Sequence, residues 1–345
     1  MESLPDTVAH QRGNATTEIG SSHSATTSRE AHLQAVLHEL ERRFGPWIVY
    51  RLRDARPIVH DRSIGSRSIS SGSLSIDRIT HIGGFPRGRI TEIIGQTSSG
   101  KSTFSFHLLA TTQRQGELTA FIDAAHRVSF EHMERCGVQL PDLFLVVPET
   151  VPEALDIAAL LAESGGLGAL VIGPLSDLVG GSLPLAHQAA EKVARLNALM
   201  TASPTVVVFL TDNDIPSPVR PSLAPVSRAL RHFASLRIQL VPTRQIVHPS
   251  GDVTGLRVRV ETVKNKLASP HQQAEVDLRW DRGVHQEAEL VDLALASAVL
   301  EERGLGICFA SRLLGRGRAR AIATLESDPS LARDLQESIR QTLLS

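Results

Sequence analysis

The chain has 345 residues, 41% hydrophobic and 21% charged, with a formal net charge of −1. It is long enough for one large core plus appendages, and it carries no overall basicity that would by itself hold nucleic acid. Its two cysteines, Cys136 and Cys308, lie far apart and outside any CxxC or Cys/His spacing, so neither a disulfide framework nor a zinc site is indicated. No stretch approaches the length of a membrane span, and no apolar segment follows the N-terminal charges, so the expectation is a cytoplasmic protein without a membrane partner.

Residues 1–30 are rich in Ser, Thr, His and Gly with almost no apolar periodicity, the composition of a disordered tail. In residues 31–66, Leu33, Val36, Leu37, Leu40 and Phe44 recur at helical spacing, and Trp47-Ile48-Val49-Tyr50 has the pattern of a short strand. One helix and one strand cannot form a core alone, so this appendage must pack on the main domain or on a neighbouring subunit. From 67 to 283 the pattern alternates β and α. Apolar runs fall at Ile90–Ile94, Thr119–Asp123, Leu143–Val147, Ala169–Ile172 and Thr205–Leu210, with helical patterns such as Pro152–Ser164 and Leu185–Met200 between them. Near-continuous apolar strands joined by helices predict a mostly parallel sheet covered on both faces, with ligands outside the strand C-termini. Ile94, Asp123 and Gly173 mark three such ends. The alternating runs Arg237–Leu240 and Leu256–Glu261 read as antiparallel or edge strands, and residues 284–345 form a candidate small C-terminal domain.

Between the first apolar run and a helical pattern lies Gly95-Gln96-Thr97-Ser98-Ser99-Gly100-Lys101-Ser102, followed by Thr103. This is a phosphate-binding P-loop. Gly95 and Gly100 let the backbone curl so that successive N–H groups point at phosphate oxygens, and the helix N-terminus adds its positive end. Lys101 reaches the terminal phosphates, and the Ser102 hydroxyl is placed to bind magnesium. A chance Gly/Ser turn is the bland alternative, disfavoured because the motif and its strand-loop-helix context agree. Lysine occurs only at 101, 192, 264 and 266, so 32 of the 36 basic residues are arginine. A lysine retained against that bias suits a place where a compact ammonium is needed and a planar guanidinium does not fit. Lys101 meets that description and singles out Lys264 and Lys266 as well, a solvated surface pair being their alternative.

From about Leu33 onward the chain resembles the bacterial RecA recombinase family. The resemblance is carried by Ile69–Asp77, Gly84–Ile93, Phe121-Ile122-Asp123-Ala124, Val263–Pro270 and Glu289–Leu293, in order and at the family's spacing. It implies an α/β RecA-type P-loop NTPase core, a mostly parallel sheet flanked by helices, with an N-terminal helix-strand appendage and a small α+β C-terminal domain. It also implies ATP and Mg²⁺ as cofactors, single-stranded DNA and further protomers as partners, and an N-terminal segment that docks on the adjacent protomer. ATP then sits between protomers, where paired lysines of the neighbour, matched by Lys264 and Lys266, touch its phosphates. His132 matches a position where an adenine-stacking tyrosine is usual.

The departures from the family pattern concern catalysis and DNA. The glutamate that polarises the attacking water is matched by Ala125, and the magnesium-orienting aspartate by Gly173. The glutamine that senses the γ-phosphate is matched by Asp212, whose charge opposes phosphate unless a metal lies between. The DNA loop after Leu178 is short. The longer one, Asp212–Ser222, is stiffened by proline, carries Asp212 and Asp214 against phosphate, and has Arg220 alone in its favour. Arg316, Arg318 and Arg320 match a family surface that receives duplex DNA, with a solvated basic loop as the alternative. Two readings follow. One is an ATP-binding RecA-like protein of DNA repair with weak or lost hydrolysis, acting through nucleotide-bridged assembly with itself or a true RecA. The other is a fully active strand-exchange recombinase. Loss of three γ-phosphate-side groups with an intact P-loop favours the first, with Asp123 or Asp177 as the acidic group left to substitute in part and a structural role as the alternative for Asp123. An unrelated P-loop kinase does not account for the matched appendages.

Overall fold

The computed structural model describes residues 34–39, 42–43, 67–174, 182–212, 224–248, 250–304, 306–310 and 312–344. The expected tail 1–30, the strand Trp47–Tyr50, Asp177, Arg220, residues 179–181 of the first expected DNA loop and 213–222 of the second lie outside the described residues. The chain divides into two compact units, residues 1–59 and 60–345. In the first, residues 34–39 and 42–43 are helical, within the apolar pattern that predicts a helix there. Glu39 accepts hydrogen bonds from Arg42 and Arg43, one turn further along.

The second unit begins with a two-stranded ribbon, β1 (Ser68–Ile69) and β2 (Phe85–Pro86), around helix α1 (Leu74–Thr80). The P-loop strand β3 (Arg89–Gly95) leads into α2 (Lys101–Arg114). Then follow β4 (Leu118–Asp123), α3 (Phe130–Arg135), β5 (Leu143–Val146), α4 (Val151–Glu163), β6 (Leu167–Gly173), α5 (Leu183–Met200), β7 (Val206–Asp212) and α6 (Ala224–Phe233). A long hairpin, β8 (Leu236–Val247) and β9 (Val253–Asn265), precedes β10 (Gln273–Arg279) and β11 (Gly283–Val284). Nine of these strands form one sheet in the order β11-β10-β9-β8-β3-β7-β6-β4-β5. The half from β8 to β5 is parallel and the half from β8 to β11 antiparallel.

The period-2 alternation of the strands divides their side chains between two cores. Ile93, Phe121, Val171, Val208 and Leu210 face one side with Phe104, Phe106 and Leu108 of α2. Ile90, Ile122, Ile172, Val207 and Phe209 face the other, under α4, α5 and α6. Because both faces are covered, β6 is buried along its length and β7 along all but its last residue, which is why they read as unbroken apolar runs. Of the two readings of the run Arg237–Leu240, antiparallel or edge, the first holds: β8 is antiparallel to β9, and it also lies parallel to β3 over Leu236–Leu240, inside the sheet. Its inner-face residues alternate with half-buried ones because no unbroken apolar layer covers its second face.

Beyond the sheet, α7 (Gln286–Ala296) leads to a three-stranded antiparallel sheet of β12 (Leu300–Arg303), β13 (Gly306–Phe309) and β14 (Arg312–Arg316). Helices α8 (Arg318–Ser327) and α9 (Pro329–Leu344) close the chain. Residues from Ala288 to Ile339 share a third buried cluster. Two polar junctions fasten it to the main sheet. The buried Glu289 carboxylate accepts from Ser73 Oγ and from the N–H groups of Leu74 and Ser75, satisfying orphan donors at the start of α1. Arg257 of β9 and Arg318 of α8 both donate to Asp277 of β10 and Asp292 of α7. Among the described residues, no helix is long and apolar enough to cross a membrane.

Candidate functional site

The parallel strands deliver four chain segments to one side of the sheet: the ends of β3, β4, β6 and β7. Outside them lies a cavity of about 440 Å³, lined among others by Thr97, Ser98, Lys101, Ser102, Ala125, His132, Gly173 and Asp212. Sequence reasoning places these residues at one site, and the fold brings them together.

The loop from Gly95 to Lys101 is shaped by steric exclusion. A Cβ at Gly95 would lie 2.2 Å from Ser99 Oγ, and one at Gly100 would lie 2.3 Å from Leu278 Cδ1. Gly100 also caps α2 with φ +97°, and Ser98 takes φ +61°, a left-handed conformation uncommon outside glycine and stored only where the surroundings enforce it. Lys101 is folded back over this loop. Its Nζ donates to the carbonyls of Gly95 and Gln96, both at 2.8 Å, and to Asp212 Oδ1 at 2.9 Å. Gly95 and Asp212 are direct partners across β3 and β7, so the sheet register itself sets this pair. Ser102 is exposed, whereas Ser99 is fully buried and its hydroxyl has no partner.

At the far side of the cavity, His132 Nε2 is 3.0 Å from Thr103 Oγ1, and its ring meets Phe106 edge-on at 5.5 Å. Burial first, then Arg135, lowers the His132 pKa, which favours a neutral imidazole with a flat apolar face. Cys136 behind it is an inert thiol, its pKa pushed up to about 12 by burial. Asp123, the acidic group weighed as a stand-in, is engaged locally: its two oxygens accept the N–H groups of Ala125 and Val128 and shape the turn after β4. Gly173 is not merely without a carboxylate. A Cβ there would lie 2.5 Å from Leu210 Cβ, so the neighbouring strand fills the place where a side chain would stand.

Asp212 also lines a second, smaller cavity of about 220 Å³ with Glu92, Thr211, Arg231 and Arg237. Glu92 is buried in β3, accepts from Thr211 Oγ1 at 2.8 Å, and pairs with Arg237. Sequence reasoning missed this network. Its signal was available, since Glu92 is the one charged residue within the apolar run Ile90–Ile94. Lys264 and Lys266 lie apart from the P-loop and outside the first cavity. Lys264 Nζ donates to the carbonyls of Arg231 and His232, and Lys266 Nζ to that of His232, capping the C-terminus of α6. Partial burial and the charges of Lys266 and Arg237 push the Lys264 pKa down to about 8.

Of the expected DNA-contacting arginines, Arg316 and Arg320 are exposed. Arg318 departs from the expectation. Its guanidinium is tied to Asp277 and Asp292, and that pairing offsets its burial and raises its pKa, so it serves the junction between sheet and C-terminal helices instead of a phosphate.

A glycine-dependent loop between a parallel strand and a helix, with a lysine folded over it at the carboxyl ends of the strands, defines a P-loop nucleotide-binding α/β protein. Comparison with known proteins narrows the class. The RecA N-terminal domain family matches residues 31–285. The chain is 34% identical over 323 residues to Protein RecA of Rhodopseudomonas palustris, covering 90% of this chain and 91% of that protein. It is 33% identical over 328 residues to Protein RecA of Thermus thermophilus, covering 90% and 94%. The chain belongs to the RecA family.

Proposed function

We propose that this chain is a RecA-family ATP-binding protein of DNA recombination and repair in which hydrolysis is weak or lost, acting in the cytoplasm through nucleotide-bridged assembly on or beside single-stranded DNA filaments. The observation that carries the reading is the contrast within one cavity: the phosphate cradle is complete while the catalytic side is closed. Gly95 and Gly100 admit no side chain, as a backbone cradle requires. Opposite them, Ala125 offers no base, and Leu210 occupies the space that a Cβ at Gly173 would need.

The residues present fit a nucleotide. The N–H groups of Gln96 to Ser102 bind phosphate oxygens, Lys101 turns its ammonium toward the outer phosphates, and the neutral His132 face receives the base, in smaller area than a tyrosine would give. A bound magnesium ion would supply charge neutralisation between phosphates. Ser102 is the chain's donor for it, with no carboxylate at 173 to orient it. General-base assistance contributes typically about 10²–10⁴-fold, and that is the loss expected from Ala125 alone.

Assembly is supported by β5. This strand is the outer edge of the nine-stranded sheet, and Phe144 and Val147 on or beside it are 54% and 53% exposed. An open, apolar edge strand invites an added strand from another chain, itself or a true RecA. Arg316 and Arg320 are the exposed cations offered to DNA. The deciding experiment is ATP turnover with and without single-stranded DNA. DNA-stimulated turnover within the roughly 1–10³ s⁻¹ of ordinary enzymes would overturn the weak-hydrolysis reading in favour of an active DNA-dependent ATPase.

A further inference from the structure

We infer that Asp212 makes this cavity select a nucleoside diphosphate over a triphosphate. The inference rests on the nucleotide reading above and adds to it which phosphate chain the site accepts.

Three observations converge on it. First, all three Nζ donors of Lys101 are engaged within the protein, by Gly95, Gln96 and Asp212. The ion pair is half-hidden from water, with the Lys101 side chain 9% and that of Asp212 27% exposed, so solvent screens it weakly. Second, Asp212 stands where β7 ends, opposite Gly95 in the sheet, so its place beside the loop is fixed by strand register and not by a free side-chain torsion. Third, among the described residues, β3 and β6 bring no cation to this cavity beside Asp212, and the cavity's arginine, Arg127, comes from the turn after β4. The other carboxylate lining the cavity, Asp123, is bound to backbone N–H groups. Position 173 has no side chain with which to orient a bridging cation.

A diphosphate ends on the loop N–H groups and on Lys101, whose ammonium can trade a loop carbonyl for the β-phosphate and keep its bond to Asp212. A third phosphate extends the chain beyond that contact. To engage it as well, Lys101 must leave Asp212, and the freed carboxylate then faces a phosphate chain with about one more negative charge, ending in a doubly charged group, in a partly dehydrated cleft. Like charges at that range disfavour each other strongly. The diphosphate raises no such conflict.

The test is calorimetry on the full chain with ADP and with a non-hydrolysable ATP analogue, each with Mg²⁺ and with chelator, for wild type, Asp212→Asn and Asp212→Gln, folding being confirmed by circular dichroism. Wild type is expected to bind ADP at least about tenfold more tightly than the triphosphate, a difference of about 1.4 kcal/mol. Both variants should tighten the triphosphate about tenfold while moving ADP by less than about threefold. Equal affinities in wild type, or tightening of both nucleotides in parallel, overturns the inference while leaving nucleotide binding intact. Triphosphate binding that needs Mg²⁺ in wild type and weakens in Asp212→Asn overturns it too, by making Asp212 a metal ligand. Absence of binding by either nucleotide to all three proteins removes the nucleotide reading itself and this inference with it.

Discussion

Leu210 stands where a side chain on Gly173 would have to go. The two lie at the ends of adjacent parallel strands, and a Cβ at 173 would be 2.5 Å from Leu210 Cβ and 2.8 Å from its Cγ. The obstruction is near the Leu210 backbone, so a rotamer change does not clear it, and Leu210 is itself buried in the sheet core. Installing an aspartate is therefore not a simple restoration. Gly173→Asp is expected to lower unfolding free energy by about 1–3 kcal/mol, the range for overpacking a filled core, in urea denaturation. Adding it to Ala125→Glu should give no gain in ATP turnover until Leu210, whose Cβ is itself the nearest atom, is also cut back to glycine. A Gly173→Asp protein as stable as wild type would show that this space is open.

Lys101 is the ammonium of the cradle, and its removal acts twice. The phosphates lose a charged donor, and Asp212, 2.9 Å from Nζ in the intact protein, is left facing the ligand without a counter-charge. A hydrogen bond to a charged group contributes about 1.5–3 kcal/mol, so Lys101→Ala should weaken nucleotide binding by roughly 10–100-fold. Titration calorimetry with ADP measures it. Unchanged affinity would mean that the loop does not hold the phosphates.

Stability should fall as pH rises through mild acidity. Burial raises the Asp77 pKa from 3.8 to about 6, against hydrogen bonds from the Ser70 and Ser71 hydroxyls and the Ser71 N–H. Glu289, which is buried and accepts from the first N–H groups of α1, is shifted in the same direction by the same cause. A folded-state pKa above the unfolded value means that the native state holds the proton more tightly. The contribution is therefore fully present below about pH 4 and lost as pH rises through about 6. For Asp77 alone the change is on the order of 3 kcal/mol. Urea unfolding at pH 4.5 and 7.5 should show this slope in wild type and a shallower one in Asp77→Asn; identical slopes would dismiss Asp77 as the source.

The layers and the cavity were readable in the sequence because each rests on a local rule. β6 and β7 are apolar throughout since both sheet faces are covered, and the P-loop glycines sit where the backbone must take left-handed angles or approach a neighbour. What escaped reading depends on strand order. Asp212 touches Lys101 only because β7 pairs with β3, with Asp212 opposite Gly95, and the separation of 111 positions along the chain carries no sign of that pairing. Likewise Arg318 reads as one of three surface arginines, and only the packing of α8 against β10 and α7 turns it inward to Asp277 and Asp292. The obstruction by Leu210 has no trace in composition or periodicity, since any buried strand carries leucine.

The last prediction concerns assembly, where two features kept in the chain are explained by a neighbour. The edge strand β5 leaves apolar side chains such as Phe144 exposed. Lys264 and Lys266 set two ammonium groups against the carbonyls that end α6, and burial first, then the charges of Lys266 and Arg237, push the Lys264 pKa down to about 8. Capping one helix end is worth only about 0.3–1 kcal/mol and needs one cation. A second cation held beside the first gains most when an anion arrives from outside, as a phosphate held by the next protomer's P-loop would. Changing both lysines to alanine should then cost little stability yet remove nucleotide-dependent assembly, and deleting residues 1–50 should leave a folded monomer. Because nucleotide binds the assembled form, the assemblies should persist in its presence and dissociate on its removal. Sedimentation of wild type and both variants with ATP, with ADP and without nucleotide, alone and mixed with a true RecA, reads this out. A wild-type protein that stays monomeric in every mixture would end the bridging proposal, and a double-alanine variant that assembles normally would detach the lysines from it.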